Sequence, residues 1–297
     1  MTAAGPRTLV QLPMRHPGAP FWVPSAALQR HTNRMATGDP AVDWLTHVRS
    51  RHFRAEPRRT LVVGCGEGFL EIALARVPAA GSFVAVDADP EALARARRRA
   101  ERRGLSAVRH EVLDPDAAPL PEGPWDAVYA VGVLHHAEDP EALLRRLHDA
   151  LAPSGRVALV DYVGPNRFRT AEAEAAMLDR CFRLLPERLR RDPETGAWRA
   201  RRAAADADSF TRIWPHEAAQ SEKLLAQARR TFVEEATYGL GGGLLHPLLS
   251  GLEGNFGQDP PGDERTLEVL GAAEEDSRRR GALGDAFAVF VGRRRVT

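Results

Sequence analysis

The sequence is short of cysteine, of lysine and of net charge, and each shortage narrows the possible functions. Two cysteines occur among 297 residues, Cys65 and Cys181, and their number and spacing exclude a cysteine-ligated metal cluster. Lysine occurs once, at Lys223, beside many arginines, which we interpret as a coding bias. The charges nearly balance at +1, so no overall charge draws the protein to nucleic acid or to an anionic membrane.

Long apolar segments are also lacking. No apolar run approaches the roughly 18 residues of a membrane-spanning helix. The N-terminal region carries Pro6, Arg7 and Pro13 and lacks the continuous apolar stretch of a signal peptide. Together with the low cysteine content, these features favour a protein of the cytoplasm that does not associate with membranes.

The residues that are present are organised around a glycine-rich turn. The apolar segment 60–63 predicts a strand, and Gly64, Gly66 and Gly68 follow it, before a segment that predicts a helix to about Arg76. Glycine suits such a turn because it accepts positive φ and leaves room for a ligand at the backbone. The free N–H groups at a helix start favour acceptor atoms, so the pattern predicts a loop for a nucleotide-type cofactor.

The spacing of the glycines excludes two kinds of cofactor and points to a third. A dinucleotide fingerprint requires its last glycine at position 69, where Phe69 stands. No Lys-Ser/Thr pair follows the turn, which excludes a phosphate-binding loop of the NTPase type. The pattern G-x-G-x-G at Gly64, Gly66 and Gly68 resembles motif I of the class I S-adenosylmethionine-dependent methyltransferases.

Later segments resemble further motifs of that family, in the right order. Segment 81–90 predicts a second strand ending at Asp87, and the resemblance assigns this acid to the ribose of the cofactor. Segment 108–114 predicts a third strand ending at Asp114, which the resemblance assigns to the adenine amine. The last two matches are residues 125–140, similar to motif IV, and residues 151–162, similar to the turn and strand that follow it.

The resemblance covers roughly residues 58–163 and implies a fold and a cofactor site. The implied fold is α/β: a Rossmann-like, mostly parallel seven-stranded sheet of order 3-2-1-4-5-7-6, with a helical N-terminal cap and a helical insertion between strands 5 and 6. The implied cofactor is S-adenosyl-L-methionine, and the product is S-adenosyl-L-homocysteine. The expected cofactor contacts are Gly64, Cys65, Gly66, Gly68, Asp87, Ala88, Asp114, Val133 and Leu134.

One position departs from the family pattern. Many members carry an acid two residues before the first glycine, where it helps to hold the amino group of the cofactor, but Val62 stands there. A subgroup that reads L-G-C-G-x-G-x-L-E also lacks this acid, and the sequence matches it through Glu71. A carbonyl of the loop or a residue of the N-terminal cap is then expected to hold the amino group.

The expected domain organisation has two parts. Residues 1–57 form a helical cap, with one helix starting after Ser25 and a second at Pro40. Residues 58–297 form the cofactor-binding domain, within which residues 164–229 are a helical insertion on the substrate side, with a helix expected from Pro215 towards Arg229. The two N-terminal helices either lie over the cofactor or are an ordinary packing pair.

The candidate catalytic residues are His135, Asp161 and Tyr162. His135 follows the fourth strand and is the leading candidate for a general base, which a hydroxyl acceptor needs and a free amine does not. The alternative is that His135 only hydrogen-bonds the backbone of its turn, and His136 is expected to be structural. Asp161 and Tyr162 end the fifth strand and are expected to orient the substrate. No third ligand accompanies the two histidines at a telling spacing, so we expect no metal.

The sequence therefore predicts transfer of a methyl group to an O or N atom of a small molecule, in specialised metabolism. The cap and the long insertion favour an enclosed pocket for a small acceptor. The alternatives are methylation of a peptide, a glycan or tRNA, and a partner protein that binds the cofactor without catalysis. The arginines of segment 95–103 fit a solvated helix face without interleaved aromatics, so nucleic acid is not an expected partner. The chain is expected to be a monomer or a homodimer.

Overall fold

The computed structural model describes residues 25–53, 58–76, 81–170, 172–192, 195–200, 202, 215–257 and 259–295. Their strands form one seven-stranded sheet in the order β3-β2-β1-β4-β5-β7-β6, which confirms the predicted fold class. Strand β7 runs antiparallel to β5 and β6, and the other neighbours are parallel. The strands are β1 (Arg59–Val63), β2 (Ser82–Asp87), β3 (Val108–Val112), β4 (Trp125–Val131), β5 (Leu151–Tyr162), β6 (Val233–Gly241) and β7 (Phe287–Arg293).

Helices cover both faces of this sheet. They are α1 (Ala26–Thr37), α2 (Trp44–His52), α3 (Phe69–Ala75), α4 (Pro90–Glu101), α5 (Pro140–Ala150), α6 (Glu172–Leu184), α7 (Leu224–Thr231), α8 (Leu245–Leu249) and α9 (Pro260–Arg279). Short 3-10 turns lie at Asn166–Phe168, Glu187–Arg190, Ser221–Lys223 and Glu253–Asn255. In the described part of the chain, none of the helices has the length and apolar character needed to cross a membrane.

The helices α4 and α5 begin with the same local sequence, an aspartate followed by a proline. Asp89 and Asp139 accept hydrogen bonds from backbone N–H groups of the first helical turn, and a proline follows each of them. Proline suits this position because its missing N–H would have no partner within the helix. Each cap fixes the end of a loop that follows a strand, and these two loops carry Asp87 and His135.

Two predicted helix starts are wrong. Helix α2 begins at Trp44 and not at Pro40, and the Asp39 side chain instead accepts a hydrogen bond within a turn. The segment that starts at Pro215 is also a turn, and α7 begins only after it. The hydrogen bond from an aspartate side chain to the backbone stabilises a turn as well as a helix start, so the local pattern does not separate the two.

Two apolar cores lie on the opposite faces of the sheet. Within β1, Leu61 and Val63 pack with residues of α5 and α7, whereas Val62 packs in the other core with residues of α1, α2 and α3. Strands β1 and β4 are buried on both faces, which fits their nearly continuous apolar sequences. The carboxyl ends of the parallel strands meet at one edge, where ligands bind in folds of this type.

The N-terminal helices pack close to the β6 and β7 side of the sheet. Helix α1 lies against α9 and β6, and α2 contacts β7. His31 of α1 and Glu274 of α9 are both buried, and His31 Nε2 lies 3.1 Å from Glu274 Oε1. Residues 1–24 and 54–57 of the expected cap, and much of the insertion after residue 202, lie outside the described residues.

Candidate active site

The turn between β1 and α3 holds three glycines in the left-handed conformation. Gly64, Gly66 and Gly68 have φ angles of 76°, 52° and 81°, which strain any other residue. A Cβ at Gly64 would overlap the Val133 side chain, and a Cβ at Gly68 would lie 2.7 Å from Ala96 Cβ. At these two positions, the space that glycine provides is taken by the protein itself. The packing and the φ angles together therefore require glycine there.

Asp87, the last residue of β2, is tied directly to this turn. Its Oδ2 accepts a hydrogen bond from the N–H of Gly66 at 2.7 Å, and its Oδ1 accepts one from the N–H of Asp89 at 2.9 Å. Each carboxylate oxygen has two lone pairs, so both oxygens keep the capacity to accept a hydroxyl hydrogen. The structure thus brings Asp87 and the glycine turn together at one point of the carboxyl edge.

The end of β3 adds two exposed groups next to Asp87. Asp114 is exposed, and its Oδ1 accepts a hydrogen bond from the N–H of Asp116 at 2.9 Å. Val112 is 54% exposed, which is unusual for a large apolar side chain and suits contact with a flat ring. Ala88 is exposed on the neighbouring loop. Sequence reasoning missed Val112, because a valine that ends a strand gives no signal of exposure.

Three further predicted cofactor residues lie in the turns that follow β1 and β4. Cys65 and Leu134 are buried, and Val133 is half-buried beside Gly64. Burial, and after it the nearby negative charges, raise the pKa of the Cys65 thiol, which therefore stays protonated and acts as a small apolar group. Cys65 belongs to the apolar core on one face of the sheet, whereas Leu134 and Val133 pack with the core on the other face.

Asp161, near the end of β5, organises the other side of the crevice. It is almost fully buried, and its Oδ2 accepts hydrogen bonds from the N–H groups of Val133 at 3.1 Å and Leu134 at 2.9 Å. Its Oδ1 accepts the N–H of Tyr162 at 2.8 Å and lies 2.6 Å from Nδ1 of His135. Because the protein itself engages both oxygens, Asp161 holds the β4 turn and orients the His135 ring.

The second ring nitrogen of His135 faces Glu217, a residue that sequence reasoning missed. Nε2 of His135 lies 3.5 Å from Oε1 of Glu217, and Oε2 of Glu217 is hydrogen-bonded to Nδ1 of His136. Burial acts to lower the pKa of His135, but the carboxylates of Asp161 and Glu217 outweigh this effect and raise it. Glu217 comes 81 residues after His136, and no local motif surrounds it.

Glu217 is held in place by a strained turn. The next residue, Ala218, has a φ of 47°, and Arg167 has a φ of 60°. The N–H of Ala218 donates to the carbonyl oxygen of His135 at 2.7 Å, and the N–H of Arg167 donates to the carbonyl oxygen of Ala218 at 2.8 Å. Such backbone angles cost on the order of 1–3 kcal/mol for a residue with a side chain, so these contacts fix the turn against its own preference.

A cavity of about 570 Å³ opens beside Tyr162. The rings of Tyr162, Phe168 and His246 line it and pack together, with centroids between 4.6 and 5.7 Å apart. Burial lowers the pKa of His246 to about 4, so its ring is neutral near pH 7. The Tyr162 hydroxyl donates to the carbonyl oxygen of Pro165 at 3.0 Å, and burial raises its pKa, so it too is neutral. The cavity has the size of small-molecule sites.

Comparison with known proteins finds a methyltransferase domain in the chain. Residues 61–157 match the model of a family described as a methyltransferase domain. The demethylmenaquinone methyltransferase of Thermus thermophilus is 29% identical over 187 residues, which cover 58% of this chain and 84% of that protein. The ubiquinone biosynthesis O-methyltransferase of Xanthomonas axonopodis pv. citri is 34% identical over 137 residues, 45% of this chain and 55% of that protein. The chain spans about half the length of other curated relatives that it matches, for example 51% of an uncharacterized methyltransferase of Mycobacterium bovis.

Solved structures share the fold over most of the chain. The 4+2 cyclase SpnF has a TM-score of 0.51 at 19% identity and covers 93% of this chain and 98% of its own. Coclaurine N-methyltransferase, bound to N-methylheliamine and S-adenosylhomocysteine, has a TM-score of 0.51 at 15% identity. The match covers 83% of this chain and 70% of that chain. At such low sequence identities, structural similarity shows a shared fold and nothing more. The sheet order, the match of residues 61–157 and the relatives together support a methyltransferase domain of the class I, S-adenosylmethionine-dependent type within this chain.

Proposed function

We propose that the protein transfers the methyl group of S-adenosylmethionine to an oxygen or nitrogen atom of a small molecule in specialised metabolism. The observation that carries the proposal is the order of groups along one edge of the sheet. The glycine turn and Asp87 follow β1 and β2, the His135 turn follows β4, and the cavity beside Tyr162 follows β5. A cofactor side and an acceptor side thus lie next to each other across β4.

The residues at the ends of β1, β2 and β3 fit the cofactor. We propose that Asp87 accepts the ribose hydroxyls with its remaining lone pairs, and that Asp114 accepts the adenine amine. The other contacts in this proposal are Gly64, Cys65, Gly66, Gly68, Ala88, Val112, Val133 and Leu134. The bound cofactor supplies a methyl group on a sulfonium cation, so the protein has mainly to align the acceptor and exclude water.

On the acceptor side, we propose that His135 takes up the proton of a hydroxyl acceptor. Asp161 is then a positioning residue, because its oxygens are engaged by the β4 turn and by the His135 ring. Tyr162 lines the cavity and orients the acceptor with its ring, since its hydroxyl is already paired with Pro165. The proposal also places the protein in the cytoplasm, as a monomer or homodimer, in keeping with its two free cysteines.

The experiment that tests this proposal is a transfer assay with methyl-labelled S-adenosylmethionine. The protein is offered a panel of phenols, alcohols, amines and small acids and, separately, peptide and tRNA pools. We expect labelled small-molecule products and matching release of S-adenosylhomocysteine, both reduced in Asp87→Ala. Label confined to the peptide or tRNA pools would contradict the small-molecule acceptor. Cofactor binding without transfer to any pool would favour a non-catalytic partner protein.

A further inference from the structure

We propose that His135, His136 and Glu217 form a site for one divalent transition-metal ion. The ligand atoms that these three side chains offer all lie within 4.8 Å of one another. Zinc bonds to imidazole nitrogen and carboxylate oxygen are about 2.0–2.2 Å long, so small side-chain rotations let one ion reach all three. The two histidines come from the β4 turn and the glutamate from the insertion, so the ion would join these two segments.

The orientation of His135 is the orientation that a metal ligand needs. Its Nδ1 faces the buried Asp161 carboxylate at 2.6 Å, which leaves the lone pair of Nε2 directed at Glu217. Histidines that bind metals usually donate their second N–H to a carboxylate or carbonyl group, which fixes the tautomer and the ring. Asp161 is itself held by backbone N–H groups, so this support is rigid.

The three ligands differ in their exposure to solvent. The side chains of Glu217 and His135 are 6% and 14% exposed, whereas that of His136 is 45% exposed. An ion would therefore enter on the His136 side, where the three ligands are most exposed. The strained Ala218, hydrogen-bonded to the backbone of His135, keeps Glu217 at this position. Strain of this kind is concentrated at binding and catalytic sites.

The donor set indicates which ions the site would take. Two imidazoles and one carboxylate suit zinc, iron, cobalt and nickel, whereas magnesium and calcium prefer sites built from oxygen. The sequence predicts no metal because its third ligand is 81 residues away from His136. A bound ion would occupy the Nε2 lone pair of His135, so this ring could act as a base only in the metal-free protein. Metal binding by the three side chains does not require the proposed methyl transfer.

The test is a titration of tag-free, chelator-treated protein with Co²⁺, followed by calorimetry and by visible absorption. We expect one ion per chain, and binding weaker by about tenfold or more in Glu217→Gln and in His136→Ala. The control is His148→Ala, whose ring contacts Asp149 and Arg295 and which should bind as the wild type does. Absence of binding to the wild type, or equal binding by all four proteins, would overturn the proposal.

A second measurement separates the loss of metal binding from misfolding of a variant. Circular dichroism establishes the fold, and Co²⁺ should raise the unfolding temperature of the wild type more than that of Glu217→Gln, because stabilisation of the native state grows with its affinity for the ion. An equal rise in both proteins would also overturn the proposal. Calorimetry with S-adenosylhomocysteine on the same samples reports on the cofactor site separately, so a failed metal site is distinguishable from a failed methyltransferase assignment.

Discussion

A single buried carboxylate, Asp161, holds together the acceptor side of the crevice. It accepts three N–H groups of the β4 turn and orients the ring of His135. In Asp161→Asn, an NH₂ group replaces one acceptor oxygen and leaves at least one of these donors without a partner. We expect the free energy of unfolding in urea to fall by about 1–3 kcal/mol. Asp149→Asn, at a side chain that is 76% exposed, is the control. An equal loss in both variants would contradict the role of Asp161.

His135 is the residue whose removal should separate binding from turnover. His135→Ala leaves the glycine turn and Asp87 in place, so the affinity for S-adenosylhomocysteine should change by no more than about twofold, while turnover falls by about 10²–10⁴. Steady-state rates with an acceptor from the transfer assay provide the measurement, and His148→Ala serves as the control. Unchanged turnover at saturating acceptor would remove His135 from the mechanism.

The buried ring of His246 should make the free energy of unfolding depend on pH. Its pKa is about 4 in the folded protein, below the ordinary 6.5, because burial disfavours the charged ring. Between these values the unfolded chain binds more protons than the native one, so stability should fall as the pH drops from about 6.5 towards 4. Urea unfolding at about pH 7 and about pH 5 should show a smaller loss in His246→Gln than in the wild type. The same loss in both proteins would contradict this account.

At the scale of elements, Glu274 of α9 joins α1 to the start of α8. Its oxygens accept the N–H groups of Gly242, Leu244 and Leu245 at 2.7–3.0 Å and also contact His31. Burial acts to raise the pKa of Glu274, but the contact with His31 and these N–H groups outweigh it and lower the pKa. The charged carboxylate therefore fixes the short helix that carries His246 into the cavity wall.

Glu274→Gln should weaken the contacts of α9 with α1 and with the start of α8. The amide has one acceptor oxygen in place of two, so at least one buried backbone N–H loses its partner, and we expect a loss of about 1–3 kcal/mol in the free energy of unfolding. Glu275→Gln is the matched control, because that neighbour is 33% exposed and contacts Arg34 at the surface. Hydrogen exchange at Leu244 and Leu245 should accelerate in Glu274→Gln alone. Equal protection in both variants would contradict the proposed junction.

The helices show what a local pattern can and cannot predict. The starts of α4 and α5 are predictable because an aspartate and a proline stand directly after a strand or its turn. The start of α2 is not, because both Asp39 and Asp43 can cap a helix. Burial of Trp44 in the core accompanies the start at Asp43, and a sequence pattern does not contain that tertiary contact.

The cofactor residues and the acceptor-side residues of the candidate site also differ in how far the sequence predicts them. Each predicted cofactor residue ends a strand or lies in the turn after it, so the order of the strands is enough to bring Asp87 near Gly66. Glu217 and the cavity depend on where the insertion folds back onto the sheet, and no local rule determines that. The space beside Gly64 is likewise filled by Val133, a residue of another strand turn.

At the scale of the whole molecule, the two cores leave the carboxyl edge of the sheet as the functional edge. Both faces of the central strands are covered by helices, so a ligand reaches the sheet at the ends of β1, β2, β4 and β5. The glycine turn, Asp87, the His135 turn and the cavity all lie there. The proposed function therefore requires that S-adenosylmethionine binds at the glycine turn and Asp87.

Calorimetric titration with S-adenosylhomocysteine tests this central claim most directly. We expect binding in the micromolar range by the wild type and by the surface control Asp149→Ala. Asp87→Ala should weaken binding by at least about tenfold, or roughly 1.4 kcal/mol. Binding of NAD in place of S-adenosylhomocysteine, or an unchanged affinity in Asp87→Ala, would contradict the account.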